Sequence, residues 1–128
     1  MIVIDTHAWI WYASEDPLLS RRAKSRIQRT PVLGVHPVSC WEIAMLARRG
    51  RLKLSMDVAP WIEHALARPK IELLSFSAAA AVRAAGLGGA FPEDPADRFI
   101  VATALELGVP LLTKDARISE WGQVQTIW

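Results

Sequence analysis

Four carboxylates in this chain stand where a charge is costly. Asp5 ends the apolar run "MIVID". Glu42 lies in "SCWEIAML", Asp97 in "PEDPADRFIVATALELG" and Asp115 in "PLLTKDA". Asp97 is the sharpest case. The apolar stripe of its segment runs Ile100, Val101, Ala104 and Leu105, and stepping back three and four residues lands on Asp97. The spacing therefore aims a carboxylate at the core, where a charge without a partner is expensive. Four acids drawn together cannot all stay ionised unaided. A hard divalent cation such as Mg²⁺ or Mn²⁺ resolves the repulsion, because it takes oxygen ligands and keeps several waters.

Each acid also has a structural use. "SCWE" reads as a capping box, with Ser39 as the cap and Glu42 three residues on. Asp94 and Asp97 form a similar pair at a helix start, so Asp97 can serve the helix dipole. Asp115 can open a turn in "TKDA". Asp5 has no such ready alternative, since a charge ending a buried strand needs a partner. The conjunction carries the signal.

The elements that must position these acids alternate. Strands are expected at "MIVID", "VLGVH" (weakened by Gly34), "KIELLSF", "VPLLT" and "VQTIW". Helices are expected from about Pro17 to Thr30, capped by Ser14 or Asp16, and over "SCWEIAMLARRG", with Gly50 closing it. Further helices are read at "DVAPWIEHALARP", "SAAAAVRAAG" ended by Gly86, and Pro95 to Gly108 capped by Asp94. A turn or short helix spans Ala116 to Trp121. Strands alternating with helices predict an α/β fold with a parallel sheet, whose binding site lies beyond the carboxyl ends of the strands. In such a sheet all four acids can converge on one edge.

The chain has 128 residues, a length that fits one domain over residues 1–128, and 52% are hydrophobic, enough for a sizeable core. Net charge is only +2, but nine of the fifteen Lys and Arg fall in "RRAKSRIQR" and "RRGRLK". Those runs are either solvated helix ends or a phosphate-binding surface. Cys40 is the single cysteine, which excludes an internal disulfide and fits a reducing cytoplasm. No secretory signal or membrane span is read, and one cysteine with three scattered histidines argues against a zinc cluster.

Four stretches, "IDTHAWIW", "VSCWEIAMLARRGRLKL", "DPADRFIVATALELGVPLLTKD" and "VQTIW", resemble in order and spacing a PIN-domain protein. More narrowly, they resemble a VapC-type toxin of a type II toxin–antitoxin pair, over nearly the whole chain. The resemblance implies a three-layer α/β/α fold around a central parallel sheet. It implies an Mg²⁺- or Mn²⁺-dependent endoribonuclease that arrests translation. It also implies a homodimer, held inactive in a hetero-oligomer by a VapB-type antitoxin whose C-terminal segment occupies the groove beside the site.

The family's acidic quartet falls on Asp5, Glu42, Asp97 and Asp115. Asp94 belongs to the same motif but suits a cap better than a ligand. Thr6 and Thr113 match hydroxyl positions that orient the metal's ligands. His7 stands where many relatives carry Asn. The implied reaction is hydrolysis of a phosphodiester, with Asp5, Asp97 and Glu42 around one ion, Asp115 completing the pocket, and a 5′-phosphate as product. Arg48, Arg49, Arg51 and Lys53 are candidates for RNA backbone contacts. Arg98 either meets the scissile phosphate or pairs with a neighbouring acid, and the pair is favoured. Six tryptophans are many for this length. Stacking on unpaired bases is one use, but burial in core or interface is favoured for Trp9, Trp41 and Trp61, which sit in apolar helical stretches. Two alternatives stand beside this reading: another Mg²⁺-dependent α/β phosphohydrolase, and a PIN module that binds RNA or a partner without cutting.

Overall fold

The computed structural model describes residues 1–128. Five short strands, β1 (Ile2–Ile4), β2 (Leu33–Val35), β3 (Ile71–Leu73), β4 (Leu111–Leu112) and β5 (Thr126–Ile127), form one sheet in the order β3-β2-β1-β4-β5. Every pairing is parallel. The helices are α1 (Thr6–Ala13), α2 (Arg21–Arg29), α3 (Pro37–Arg48), α4 (Val58–Leu66), α5 (Ala78–Ala85), α6 (Pro95–Leu107) and α7 (Ala116–Trp121). No helix is long and apolar enough to cross a membrane.

Strand side chains alternate between two cores, as a pleated strand requires. Ile2, Ile4, Leu33, Val35 and Leu112 face a core built with Trp9 and Ile10 of α1, Ala23 and Ile27 of α2, Ile43 of α3 and Trp61 of α4. Val3 and Leu111 face the opposite core, with Ile100, Val101 and Ala104 of α6 and Ile118 of α7. The sheet is thus the middle layer of three. Buried on both faces, β1, β2 and β4 read as continuous apolar runs, while the edge strand β3 carries exposed Glu72 and Leu73.

All five expected strands are present, with ends trimmed by one to three residues. Two helix expectations are corrected. The first helix begins immediately after β1, at Thr6, and not near Pro17; a separate α2 follows, capped by Ser20, whose hydroxyl accepts from the Ala23 N–H at 3.0 Å. No turn residue separates strand from helix, because Asp5 is itself the cap: its Oδ1 accepts from the Ala8 N–H at 2.9 Å. Nor is "SCWE" a capping box. Helix α3 starts three residues earlier than Ser39 would allow, with His36 as cap, its Nδ1 accepting from the Val38 N–H at 2.9 Å, and Pro37 in the first position. Proline there is already shaped for a helix start, and it outranks the serine. Ser39 and Glu42 are left free of capping duty.

Gly34 was read as a weakness in β2, and the packing supplies its reason. A Cβ at Gly34 would stand 2.8 Å from Cδ1 of the buried Leu74. Replacing Gly34 by Val is expected to displace Leu74 and cost about 1–3 kcal/mol, read as a lower urea midpoint at unchanged m-value.

Candidate active site

The chain runs from β1 outward through β2 to β3, then returns to the other side of β1 for β4 and β5. Segments leaving the adjacent ends of β1 and β4 therefore part in opposite directions and open a crevice between them. Asp5 leaves β1 at that point and Asp115 follows β4 by three residues. Glu42 comes from α3, after β2, and Asp97 from the first turn of α6, which feeds β4. All four line one cavity of about 420 Å³, together with Thr6 and Asp94.

Each acid is held by a different device. Asp5 spends Oδ1 on the cap of α1, and the nearby Thr113 hydroxyl favours its ionised form. Thr113 Oγ1 accepts from the Asp115 N–H at 3.0 Å, so a buried threonine holds the backbone of Asp115. Asp115 caps α7, accepting from the Arg117 N–H at 2.9 Å. Asp94 caps α6, accepting from the Ala96 and Asp97 N–H groups at 2.9 and 3.4 Å. Glu42 caps nothing. Its Oε1 accepts from Thr6 Oγ1 at 2.5 Å, and Thr6 Oγ1 lies 2.8 Å from Ser39 Oγ. A hydroxyl has one proton to give, so Thr6 spends its own on Glu42 and Ser39 supplies the second bond.

The electrostatics follow from this arrangement. Burial pushes the Asp97 carboxyl up to about 7, and the charges of Asp94, Glu42, Asp115 and Asp5 push the same way. Burial also raises Asp5, against the opposing hydrogen bonds from Thr113 and the Ala8 N–H. Burial pulls Asp115 upward too, but the side chain and N–H of Arg117 outweigh it and hold this carboxyl below the ordinary range. The Arg117 guanidinium grips Asp115 with contacts of 3.3 and 2.9 Å and reaches Asp97 at 3.7 Å.

A divalent cation fits these donors. The acids and threonines offer oxygen alone, no cysteine lines the cavity, and His7 is its one imidazole. No three His, Cys, Asp or Glu side chains form a ready-made cage. Carboxylates standing apart with room for water suit a hard ion bound directly through only one or two of them.

Residues 2–123 match the family described as PIN domain. The chain belongs to the PIN-domain family. One relative of this PIN domain is Ribonuclease VapC22 of Mycobacterium tuberculosis, 34% identical over 117 residues, which cover 91% of this chain and 88% of the relative. Among solved structures, the DNA-bound VapBC of Salmonella typhimurium superposes with a TM-score of 0.72 at 15% identity, covering 98% of this chain and 97% of the other. VapBC2 of Rickettsia felis, bound to a promoter DNA fragment, gives 0.70 at 13% identity with the same coverage. At those identities the likeness is one of fold, and it matches the three-layer arrangement. Metal dependence is typical of the family.

The structure separates the remaining candidates. Thr6 and Asp94 line the cavity, and the buried Thr113 stands behind it, bonded to the Asp115 N–H. Arg48, Arg49, Arg51 and Lys53 are exposed at and beyond the end of α3, and none of them lines the cavity. The reading of Arg98 as a phosphate contact or partner of an acid is corrected. Its guanidinium donates to the carbonyls of Pro92 and Ala84, both at 3.1 Å, and of Phe91 at 3.5 Å, and it lies over the Phe91 ring. It braces the loop that leads into α6. Burial holds for Trp9 and Trp61, which are 0% and 7% exposed, but Trp41 is 59% exposed on the outer face of α3.

Three residues of the PIN domain's cavity were not picked from the sequence: Trp11, Lys114 and Arg117. Lys114 and Arg117 flank Asp115 and were legible by adjacency. Trp11 was hidden by the unread helix α1, on which it stands one turn beyond His7.

The raised Asp97 carboxyl predicts how stability depends on pH. Unfolded, this group releases its proton near 3.8; folded, it keeps it to about 7. The native state thus binds the extra proton between those values, and stability falls as pH rises from about 4 to about 7. Asp97→Asn is expected to flatten this slope and to stabilise the metal-free protein at pH 8 by roughly 1–3 kcal/mol, measured by urea unfolding in chelator. An unchanged slope would place the strain elsewhere.

Proposed function

We infer that this PIN domain is a metal-dependent endoribonuclease of the VapC type, the toxin of a toxin–antitoxin pair acting on cytoplasmic RNA. The observation that carries this reading is the convergence of Asp5, Glu42, Asp97 and Asp115 on one crevice at the carboxyl ends of β1 and β4. Its relation to a ribonuclease at 34% identity supports the choice of substrate. Solved neighbours described as VapBC support a VapB-type antitoxin as partner, with a homodimer and a toxin–antitoxin hetero-oligomer as the working assemblies.

Asp5, Glu42 and Asp97 would hold Mg²⁺, directly or through water, with Mn²⁺ as a substitute, and Asp115 would complete the pocket. Bound there, the cation neutralises the scissile phosphate and makes water a stronger nucleophile. The chain's own part is orientation. Thr113 holds the Asp115 backbone, the Ala8 N–H holds Asp5, and the Ser39–Thr6 pair fixes Glu42. Asp94 serves as the helix cap, its Oδ1 already committed to two N–H groups. Water attacks phosphorus in line, the 3′ oxygen leaves with a proton, and a 5′-phosphate remains on the downstream fragment.

The test is cleavage of total cellular RNA by purified, antitoxin-free protein with Mg²⁺, Mn²⁺ or chelator, beside Asp5→Ala and Asp97→Ala, with new 5′-phosphate ends mapped. Discrete cuts that need metal and vanish in both variants are expected. Cuts that persist in chelator or in both variants would remove this function from the site.

Arg117 occupies part of the same negative field, so it competes with a cation for Asp115 and Asp97. Arg117→Gln is expected to tighten Mn²⁺ binding by up to about fivefold, the range of an exposed ion pair, measured by calorimetry at pH 8. Weaker binding would make Arg117 a support of the site rather than a competitor.

A further inference from the structure

The acidic cavity has one apolar wall, and Trp11 is its only hydrophobic lining residue. His7 and Trp11 are one helical turn apart on α1, so both face the cavity from the helix that Asp5 caps. The indole is half-buried and braced. Trp128 packs edge-on against it with ring centres 5.6 Å apart, and His7 lies tilted at 5.9 Å. The ammonium of Lys114 sits over the Trp11 ring, 5.7 Å from its centre. Lys114 is exposed and precedes Asp115 directly.

A flat aromatic face, a mobile cation and a cluster of acids thus share one small cavity. These are the parts that hold a nucleotide: a surface for the base, and positive charge for its phosphate. An exposed cation over an aromatic ring is a weaker contact than a stacked base. A base arriving on Trp11 therefore displaces Lys114 and frees its ammonium for the neighbouring phosphate.

We propose that Trp11 and Lys114 form a substrate clamp in which Trp11 stacks an unpaired base beside the scissile phosphate and Lys114 contacts the backbone there. The clamp rests on the ribonuclease reading above and deepens it, by naming the two residues that hold an unpaired nucleotide beside the acids. A base paired within a duplex offers no free face to the indole. Trp11 is then a binding residue that selects unpaired RNA, and the acids carry the chemistry.

The experiment uses an RNA cut by the wild-type protein and mapped to one phosphodiester, with 2-aminopurine placed at each base flanking the cut. Binding is followed in Ca²⁺ through quenching of the 2-aminopurine, and cleavage in Mg²⁺ through KM and kcat. Trp11→Leu is expected to raise KM about tenfold with kcat changed less than about threefold, and to abolish quenching at one flanking base. Trp11→Phe should keep both within about threefold of wild type. Lys114→Gln should flatten the salt dependence of binding by about one unit of slope. The same RNA annealed to its complement should resist cutting.

Trp11→Leu with wild-type KM and quenching would overturn the clamp while leaving the ribonuclease standing. So would equal cutting of duplex and single strand. Failure of the wild type to cut any RNA would overturn the ribonuclease reading itself, and the clamp with it. Should Trp11→Leu not fold, wild-type values in the Phe variant together with the slope change at Lys114 support the clamp, and their absence overturns it.

Discussion

The hydrogen bond from the Ala8 N–H to Asp5 joins a buried strand to a largely buried helix with Asp5 alone between them. Asp5 ends β1 at the centre of the sheet, where the chain changes direction across it. One carboxylate oxygen satisfies the first turn of α1; the rest of the group stands in the crevice. The placement of α1 over the first core and of His7 and Trp11 over the cavity follows from that cap. A longer loop after β1 would break both.

The same economy recurs at the other acids. Asp94 and Asp115 each cap a helix with Oδ1. The N-termini of α1, α6 and α7 therefore all point at the cavity, and their partial positive charge offsets part of the carboxylate repulsion. Asp97 stands in the first turn of α6 but caps no helix. Its one cationic partner is Arg117 at 3.7 Å, while burial and four neighbouring acids raise its proton affinity. An acid whose charge is opposed by burial and by its neighbours gains from a nearby cation.

Glu42 shows how a site residue is fixed without a cap. The sequence pairs it with Ser39 three residues earlier, and the pairing is real, but its geometry differs from a capping box. Pro37 and His36 start the helix, which turns Ser39 inward, and Thr6 from another helix sits between serine and glutamate. The contact spans 36 positions in sequence, which no local pattern reports. Arg98 makes the complementary point. It neighbours Asp97 in sequence, yet its guanidinium turns back to the Ala84 carbonyl at the end of α5 and to the loop carbonyls of Phe91 and Pro92, because buried carbonyls without donors are costly.

What the sequence by itself determined is the strand–helix alternation, the parallel sheet and the identity of the four acids. Those follow from apolar runs, from caps and from a carboxylate spaced onto an apolar face, all of which are local. Tertiary structure alone decided that α1 starts at Asp5, that Ser39 reaches Glu42 through Thr6, that Arg98 braces a loop, and that Trp11 forms a wall of the cavity. Each of these depends on which strand lies beside β1 and where α3 crosses α1. That is fixed by packing between segments far apart in the chain, where hydrogen bonds and buried area, rather than residue spacing, set the geometry.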